Sequence, residues 1–129
     1  MLKLPAGERI LVNGAVLENA GRGARLRVLT PNTQLLRLRD AIDPTGRLTP
    51  VSRIAHAVQM MLLGEAEPRI ALPEALEGLV PLRHAFTAPE DRDRIDRIAA
   101  FLQEERFYQA LRQLGALRER EARILAAAG

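Results

Sequence analysis

The Asn13-Gly14 dipeptide is the feature that most constrains how this chain can fold. It lies between two apolar runs in the stretch ERILVNGAVLEN, residues 8–19, and this pattern is the strongest short-range sign of a β-hairpin with a two-residue type I′ turn. Such a turn fixes the strand register and places Arg9 directly across from Glu18. The same register puts four aliphatic side chains on one face, which we expect to be buried: Ile10, Val12, Ala15 and Leu17.

Two later segments alternate arginine with aliphatic residues. The sequence ARLRVL covers residues 24–29, and LLRLRD covers residues 35–40. A period of two is typical of a half-buried strand. We expect their arginines to form a ladder on the open face of a sheet, with Arg22 nearby in the glycine-flanked turn AGRG. The ladder consists of Arg25, Arg27, Arg37 and Arg39.

The region after residue 48 has the period of amphipathic helices. Thr49 is a suitable N-cap and Pro50 a suitable first helical residue, and Gly64 marks the end of this first helix. Its apolar stripe follows the i, i+3, i+4, i+7 spacing and consists of Val51, Ile54, Ala55, Val58 and Leu62.

Three more helical segments follow. In the second helix, Pro81 is expected to end or kink a helix whose apolar face is formed by Leu72, Leu76, Leu79 and Val80. In the third, Thr87 and Glu90 have the spacing of a capping box. The last helix is predicted from about residue 105 to about residue 126. Its apolar stripe is formed by Phe107, Leu111, Leu114, Leu117 and Ile124.

These patterns predict an α+β protein with a small N-terminal antiparallel β-sheet of about four strands, followed by about four α-helices. The sheet region spans residues 1–47 and the helical region spans residues 48–129, with Pro44, Gly46 and Pro50 marking the boundary. A sheet of this size cannot form a stable core alone. It must therefore pack on the helices or on a second copy of itself, and we expect one compact unit.

The charge of the chain is unevenly distributed. Residues 1–47 contain eight cations and four acids, a net charge of +4, whereas the whole chain carries +3. A basic region of this kind is typical of contact with a polyanion, although arginines can also simply solvate the outer face of a sheet. All four aromatic residues lie in the helical region, which excludes a sheet that stacks bases on aromatic rings and leaves phosphate contact.

Residues suited to catalysis or metal binding are scarce. The chain has no cysteine, which excludes a thiolate nucleophile and fits a reducing cytoplasm. His56 and His84 are the only histidines, and neither belongs to a metal-ligand motif. Ser52, the only serine, has no catalytic histidine motif beside it. We predict a cytoplasmic protein that is not an enzyme and needs no metal or other cofactor, without a signal peptide or a membrane-spanning segment.

Several stretches of the chain together resemble one known protein family. They include GERILVNGAVLEN with the arginines after it, TPVSRIAHAVQMML at residues 49–62, FYQALRQL at residues 107–114, and EREAR in the last helix. In this order they are similar to FlbT, a family of flagellar post-transcriptional regulators. The family tends to have REKD where this chain has RLRD at residues 37–40, and a denser basic turn where this chain has AGRG.

The resemblance implies a repressor of flagellin synthesis. Such a protein binds the 5′ untranslated leader of flagellin mRNA, promotes the decay of that mRNA, and works opposite a second small flagellar protein, FlaF. Together with the basic strands, this implies RNA contacts at five arginines and a weaker one at Arg9, which Glu18 is expected to occupy. The five are Arg22, Arg25, Arg27, Arg37 and Arg39.

The alternative is a chaperone-like adaptor that binds flagellin or FlaF through its helices and affects the mRNA indirectly. In that case the polar side of the first helix is the expected protein-binding surface: Arg53, His56 and Gln59. The sequence leaves open the RNA sequence that is recognised and whether the protein forms a homo-oligomer.

Overall fold

The computed structural model describes residues 2–13, 15–31, 33, 35–37 and 48–128. In these residues, five β-strands precede four α-helices, so the predicted α+β fold class is confirmed. The chain divides into two compact units, Met1–Ala41 and Ile42–Gly129. We call the first the β unit and the second the helical unit.

The described strands of the β unit form two antiparallel sheets. In one sheet, β1 (Leu2–Leu4) pairs with β4 (Ala24–Leu26). In the other, β2 (Arg9–Val12) lies between β3 (Ala15–Glu18) and β5 (Leu35–Arg37). Consequently β2 is the central strand of its sheet, and β3 is an edge strand.

The hairpin of β2 and β3 has the predicted register. Arg9 lies opposite Glu18, and its Nε donates a hydrogen bond of 2.9 Å to the Glu18 carboxylate. Asn13 has a positive φ of 49°, as the first central residue of a type I′ turn requires. The second predicted turn residue, Gly14, lies outside the described residues.

The predicted apolar face of this hairpin is buried only on β2. Ile10 is 1% exposed, whereas Leu17, directly opposite, is 47% exposed. Val12 is half-buried and Ala15 is exposed. The predicted burial is therefore wrong for Ala15 and Leu17: β3 is an edge strand, and all four of its residues are exposed.

The strand β5 also departs from its predicted alternation. Leu35, Leu36 and Arg37 are all buried, since β5 pairs with the central strand β2. β4 and β5 belong to different sheets, so Arg25 and Arg37 are not neighbours in one ladder as expected. Arg39 lies outside the described residues.

The first helix begins and ends as predicted. α1 (Pro50–Leu62) has Thr49 as its N-cap, and the Thr49 hydroxyl accepts a hydrogen bond of 3.2 Å from the backbone N–H of Ser52. Gly64 follows the helix with a φ of 77°, a left-handed conformation that glycine adopts without steric cost. The whole predicted stripe is buried: Val51, Ile54, Ala55, Val58 and Leu62.

The second helix does not end at its proline. α2 (Pro68–Ala85) continues through both Pro73 and Pro81. Each proline removes one backbone hydrogen bond and costs a helix interior about 3 kcal/mol. Leu79 and Leu82, on either side of Pro81, are buried, and their packing offsets this cost.

The third helix begins one residue later than predicted. α3 (Pro89–Gln103) has Ala88 as its N-cap, with no side-chain capping hydrogen bond. The predicted capping role of Thr87 is therefore wrong, because the proline that opens α3 takes the first helical position. Asp91, in the first turn, is buried and accepts a hydrogen bond of 3.1 Å from Arg120.

The last helix, α4 (Phe107–Ala128), packs against α1 and α3. Its predicted stripe is buried at Phe107, Leu111, Leu114 and Leu117. Ile124 is 41% exposed, so its predicted burial is wrong, because the described residues from Ala122 to the end of the helix are all exposed.

Just before this stretch, the buried Glu121 carboxylate accepts a hydrogen bond of 3.1 Å from the Val51 N–H. Val51 lies in the first turn of α1, where the helix dipole favours a negative charge.

Candidate nucleic-acid interface

The β unit holds more cations than its acids can neutralise. Its described residues between 2 and 37 include six basic and two acidic side chains. Glu18 pairs with Arg9 at 2.9 Å, as predicted, and Glu8 pairs with Arg37 at 2.7 Å. Among the described residues, the other four cations have no ion-pair partner. We call this set the cationic ribbon: Lys3, Arg22, Arg25 and Arg27.

Two members of the cationic ribbon face each other across paired strands. Lys3 on β1 lies directly opposite Arg25 on β4, and both side chains are exposed. Residues directly opposite in an antiparallel pair share a face, and like charges there are destabilising. An anion bound between the two side chains would relieve this repulsion. The other face of the same sheet carries Leu4, which is 5% exposed, and Leu26, which is 40% exposed.

A third member, Arg22, lies in a turn that Asn19 holds in place. The Asn19 amide nitrogen Nδ2 donates hydrogen bonds of 2.8 Å to the carbonyls of Leu4 and Arg22. Its Oδ1 accepts a hydrogen bond of 3.1 Å from the Gly21 N–H. These bonds connect the end of β1 to the turn that precedes β4, so the backbone at Arg22 is fixed to the sheet that carries Lys3 and Arg25.

The fourth member, Arg27, directly follows β4 in an exposed segment. Every residue from 21 to 30 is exposed, including Leu26 at 40%, Val28 at 50% and Leu29 at 83%. A guanidinium group binds two phosphate oxygens at once in a forked geometry. A polynucleotide along this segment would therefore meet guanidinium groups and aliphatic side chains.

Arg37 does not belong to this exposed group. It is 7% exposed, and its Nε donates a hydrogen bond of 2.7 Å to the Glu8 carboxylate. Its Nη2 donates to the backbone carbonyl of Lys3. The expectation that Arg37 lies on an open face is therefore wrong, because its charge is paired inside the β unit, where it joins β5 to β1.

The side chains predicted to bind a protein on α1 differ in exposure. Arg53 is exposed and His56 is half-buried, whereas Gln59 is 5% exposed. The expected exposure of Gln59 is wrong. Because α1 packs against both α2 and α4, fewer positions around the helix remain open to solvent. Only Arg53 is fully accessible to a partner.

Sequence patterns alone do not reveal Lys3 as part of the cationic ribbon. The alternation Leu2-Lys3-Leu4 is the available signal, but three residues are too few to predict a strand. Its partner β4 is distant in the chain, so only the structure shows that Lys3 lies opposite Arg25.

The described residues include no metal-type or membrane-type feature. Within them, no group of three or more histidine, cysteine, aspartate or glutamate side chains could hold a metal ion. No helix in this part of the chain combines the length and the apolar character needed to cross a bilayer.

The sequence of the whole chain was compared with the profiles of known protein families. The profile of the family described as "Flagellar protein FlbT" matches residues 1–125. The chain belongs to the FlbT family. The match covers both the β unit and nearly all of the helical unit of this FlbT-family chain, so the resemblance seen in the sequence is confirmed.

Individual relatives of the FlbT-family chain cover most of its length. A Brucella anthropi protein named "Probable flagellum biosynthesis repressor protein FlbT" is 32% identical over 124 residues, which cover 96% of this chain and 80% of the relative. A Brucella ovis protein with the same name is 32% identical over 126 residues, which cover 98% of this chain and 82% of the relative. No solved structure matches the chain.

Proposed function

We propose that this FlbT-family chain represses flagellin synthesis after transcription, by binding the 5′ untranslated leader of flagellin mRNA and promoting its decay. The names of the relatives, which describe flagellum biosynthesis repressors, support the regulatory role. The observation that carries the RNA contact is the cationic ribbon, in which four exposed cations lack ion-pair partners within the described residues.

Phosphate contact is the binding mode that the cationic ribbon supports. Arginine and lysine displace condensed counterions from the RNA backbone, and this release drives binding. The β unit has no aromatic residue, so bases cannot stack on rings there, as they do on many RNA-binding sheets. Binding by the cationic ribbon therefore depends mainly on the RNA phosphates. The exposed aliphatic side chains of Leu26, Val28 and Leu29 add apolar contacts to the parts of the RNA that lie between those phosphates.

A titration of the full chain against flagellin leader RNA at two salt concentrations tests this proposal. If all four cations of the ribbon contact phosphates, the logarithm of the affinity should fall with the logarithm of the salt concentration with a slope of about −3, or about −0.7 for each phosphate neutralised on a single strand. A flat salt response, or no RNA affinity, would contradict the proposal and favour the adaptor hypothesis, in which the chain captures flagellin or FlaF without touching RNA.

A matched pair of double variants locates the contact. In Arg25→Glu/Arg27→Glu, the new carboxylate at position 25 lies opposite Lys3, so the two side chains attract each other and the β1–β4 pairing should be retained. We expect this variant to lose its affinity for leader RNA. The control Arg97→Glu/Arg112→Glu changes the net charge by the same amount on exposed residues of α3 and α4. We expect this control to bind like the unchanged protein. Equal losses in both variants would assign binding to total charge and not to the cationic ribbon.

A further inference from the structure

The outer face of α2 combines exposed apolar and acidic side chains. Residues at i, i+4, i+7 and i+11 lie on one side of a helix, and Ile70 begins such a series. Ile70 is 68% exposed and Val80 is 58% exposed, which contradicts the expected burial of Val80. We call six exposed residues of this side the outer face, and the exposed His84 follows them on the same side in the last turn: Ile70, Pro73, Glu74, Glu77, Val80 and Pro81.

The opposite face of α2 is already used for packing inside the helical unit. Ala75, Leu79 and Leu82 are buried there, and α2 contacts α1 and α3. The outer face is therefore not the core-facing side of the helix. Single exposed aliphatic residues are common on protein surfaces, but here four apolar side chains share one stripe with two carboxylates.

The charge of the outer face is negative and unpaired. Neither Glu74 nor Glu77 has an ion-pair partner among the described residues. α2 contains as many arginines as glutamates. Arg69 and Arg83 are not among the outer-face residues, and Arg83 pairs with Asp96, so the charge of the outer face itself comes from Glu74 and Glu77. This charge repels a polyanion such as RNA and attracts a cationic partner.

The two prolines each leave one carbonyl of α2 without its usual helical donor. A proline has no N–H to donate to the carbonyl four residues before it, so Pro73 supplies no such bond to the carbonyl of Arg69, and Pro81 supplies none to that of Glu77. The Glu77 carbonyl belongs to the outer face itself. Lysine and arginine side chains carry several donors and no acceptor, which suits a surface that presents carboxylates and such a carbonyl.

We propose that the outer face of α2 docks a basic amphipathic helix of a partner protein. Ile70 and Val80 contact aliphatic residues near the two ends of the docked helix, and Glu74 and Glu77 pair with lysines or arginines between them. The stretch from Ile70 to Pro81 is about 16 Å long at 1.5 Å per residue, about three turns of a partner helix. Charge complementarity selects this occupant, because an acidic or neutral helix would leave both carboxylates unpaired against apolar groups.

Fluorescence anisotropy with a labelled synthetic helix tests the proposal on the full chain. The probe is a peptide of about 18 residues, long enough to cover α2, with leucines at both ends of one face and lysines between them. Its twin has glutamates in place of the lysines. We expect the lysine peptide to bind and the glutamate peptide to show no affinity.

Three variants separate the outer face from general attraction. We expect Glu74→Lys/Glu77→Lys and Ile70→Ser/Val80→Ser each to weaken binding of the lysine peptide by about tenfold or more. The control Glu105→Lys/Glu119→Lys, which changes two exposed acids outside α2, should bind the peptide nearly as well as the unchanged chain. All six positions are exposed, so these variants should fold, which circular dichroism verifies.

Several results would overturn the proposal. These are absence of lysine-peptide binding, equal losses in the control, or binding that survives both α2 variants. Sedimentation of the chain alone adds one more: an oligomer that Glu74→Lys/Glu77→Lys dissociates would make a second copy of this chain the occupant of the outer face.

Discussion

Arginines of the same unit serve different purposes, and their surroundings decide which. Arg25 is exposed opposite another cation, whereas Arg37 is buried between a carboxylate and a backbone carbonyl. The side chains of Arg37 and Glu8 are 9% and 11% exposed. A buried pair of this kind contributes little net stability as a pair, but removal of one member is costly because the buried charge of the other loses a close partner.

The first prediction compares these arginines by urea unfolding of the full chain. Arg37→Ala should lower the free energy of unfolding by about 3–5 kcal/mol, because it removes a buried ion-pair partner of Glu8 and a donor to the Lys3 carbonyl. Arg25→Ala should change it by less than about 0.5 kcal/mol, and Arg9→Ala by no more than about 1 kcal/mol, since the Arg9–Glu18 pair is exposed to water. Similar values for Arg37→Ala and Arg25→Ala would show that the Arg37 contacts do not stabilise the fold.

Local sequence predicts the ion pair of Arg9 but not the burial of Arg37. The Arg9–Glu18 pair is predictable because a two-residue turn fixes the register from local sequence alone. The burial of Arg37 is not predictable in this way, since Glu8 and Lys3 lie 29 and 34 residues away in the chain. Period-two alternation predicts which side chains point the same way, but not how many faces of the strand are covered.

At the scale of elements, both ends of α1 follow from local sequence, whereas the course of α2 depends on the elements that pack against it. Thr49 caps α1 as predicted, because a cap is a local hydrogen bond. The continuation of α2 through Pro81 is not predictable locally, since packing of Leu79 and Leu82 outweighs the lost hydrogen bond. The cationic ribbon likewise combines the predicted Arg22, Arg25 and Arg27 with Lys3, which only strand pairing brings to the site.

The second prediction contrasts two residues of α4 that have the same predicted role. Leu111 is 5% exposed and Ile124 is 41% exposed. Leu111→Ala should lower the free energy of unfolding by about 2–5 kcal/mol, because it leaves a cavity among packed helices. Ile124→Ala should lower it by much less, since its side chain already meets water. Chemical denaturation of both variants measures the difference, and comparable losses would place Ile124 in the core after all.

The third prediction concerns the link between α2 and α3. Arg83 donates hydrogen bonds of 2.9 and 3.3 Å to the two carboxylate oxygens of Asp96. The hydrogen bond from Arg83 lowers the pKa of Asp96 below its ordinary value of 3.8. The folded chain therefore releases this proton more readily than the unfolded chain. The resulting stabilisation is present above that ordinary value and is lost as the pH falls through the lowered pKa.

Comparison with Asp96→Asn measures this contribution. Urea midpoints of the two proteins should differ near neutral pH and converge in acid, below the ordinary pKa of 3.8. The difference should be small, because both side chains are about half exposed to water. A gap that stays constant down to the lowest pH would show that the ion pair does not account for the difference.

At the scale of the whole molecule, the cationic ribbon and the outer face of α2 belong to different units. The β unit carries the exposed cations of the ribbon, whereas the outer face of α2 carries the exposed acids Glu74 and Glu77. We propose that the chain binds a polyanion through one unit and a basic protein segment through the other. Salt should weaken both interactions, but only RNA binding should depend on Arg25 and Arg27.

The last prediction links RNA binding to the stability of the molecule. A ligand that binds only the folded state stabilises it by about 2.7 kcal/mol at one hundred times its dissociation constant. Leader RNA should also relieve the repulsion between Lys3 and Arg25, which face each other without an acid between them. We therefore expect leader RNA to raise the thermal unfolding midpoint of the unchanged chain, and the shift to shrink as salt is added. Arg25→Glu/Arg27→Glu should show no such shift, while Arg97→Glu/Arg112→Glu should retain it. Thermal unfolding followed by circular dichroism gives each midpoint. If RNA shifted the midpoints of both double variants equally, it would stabilise the chain through a surface other than the cationic ribbon.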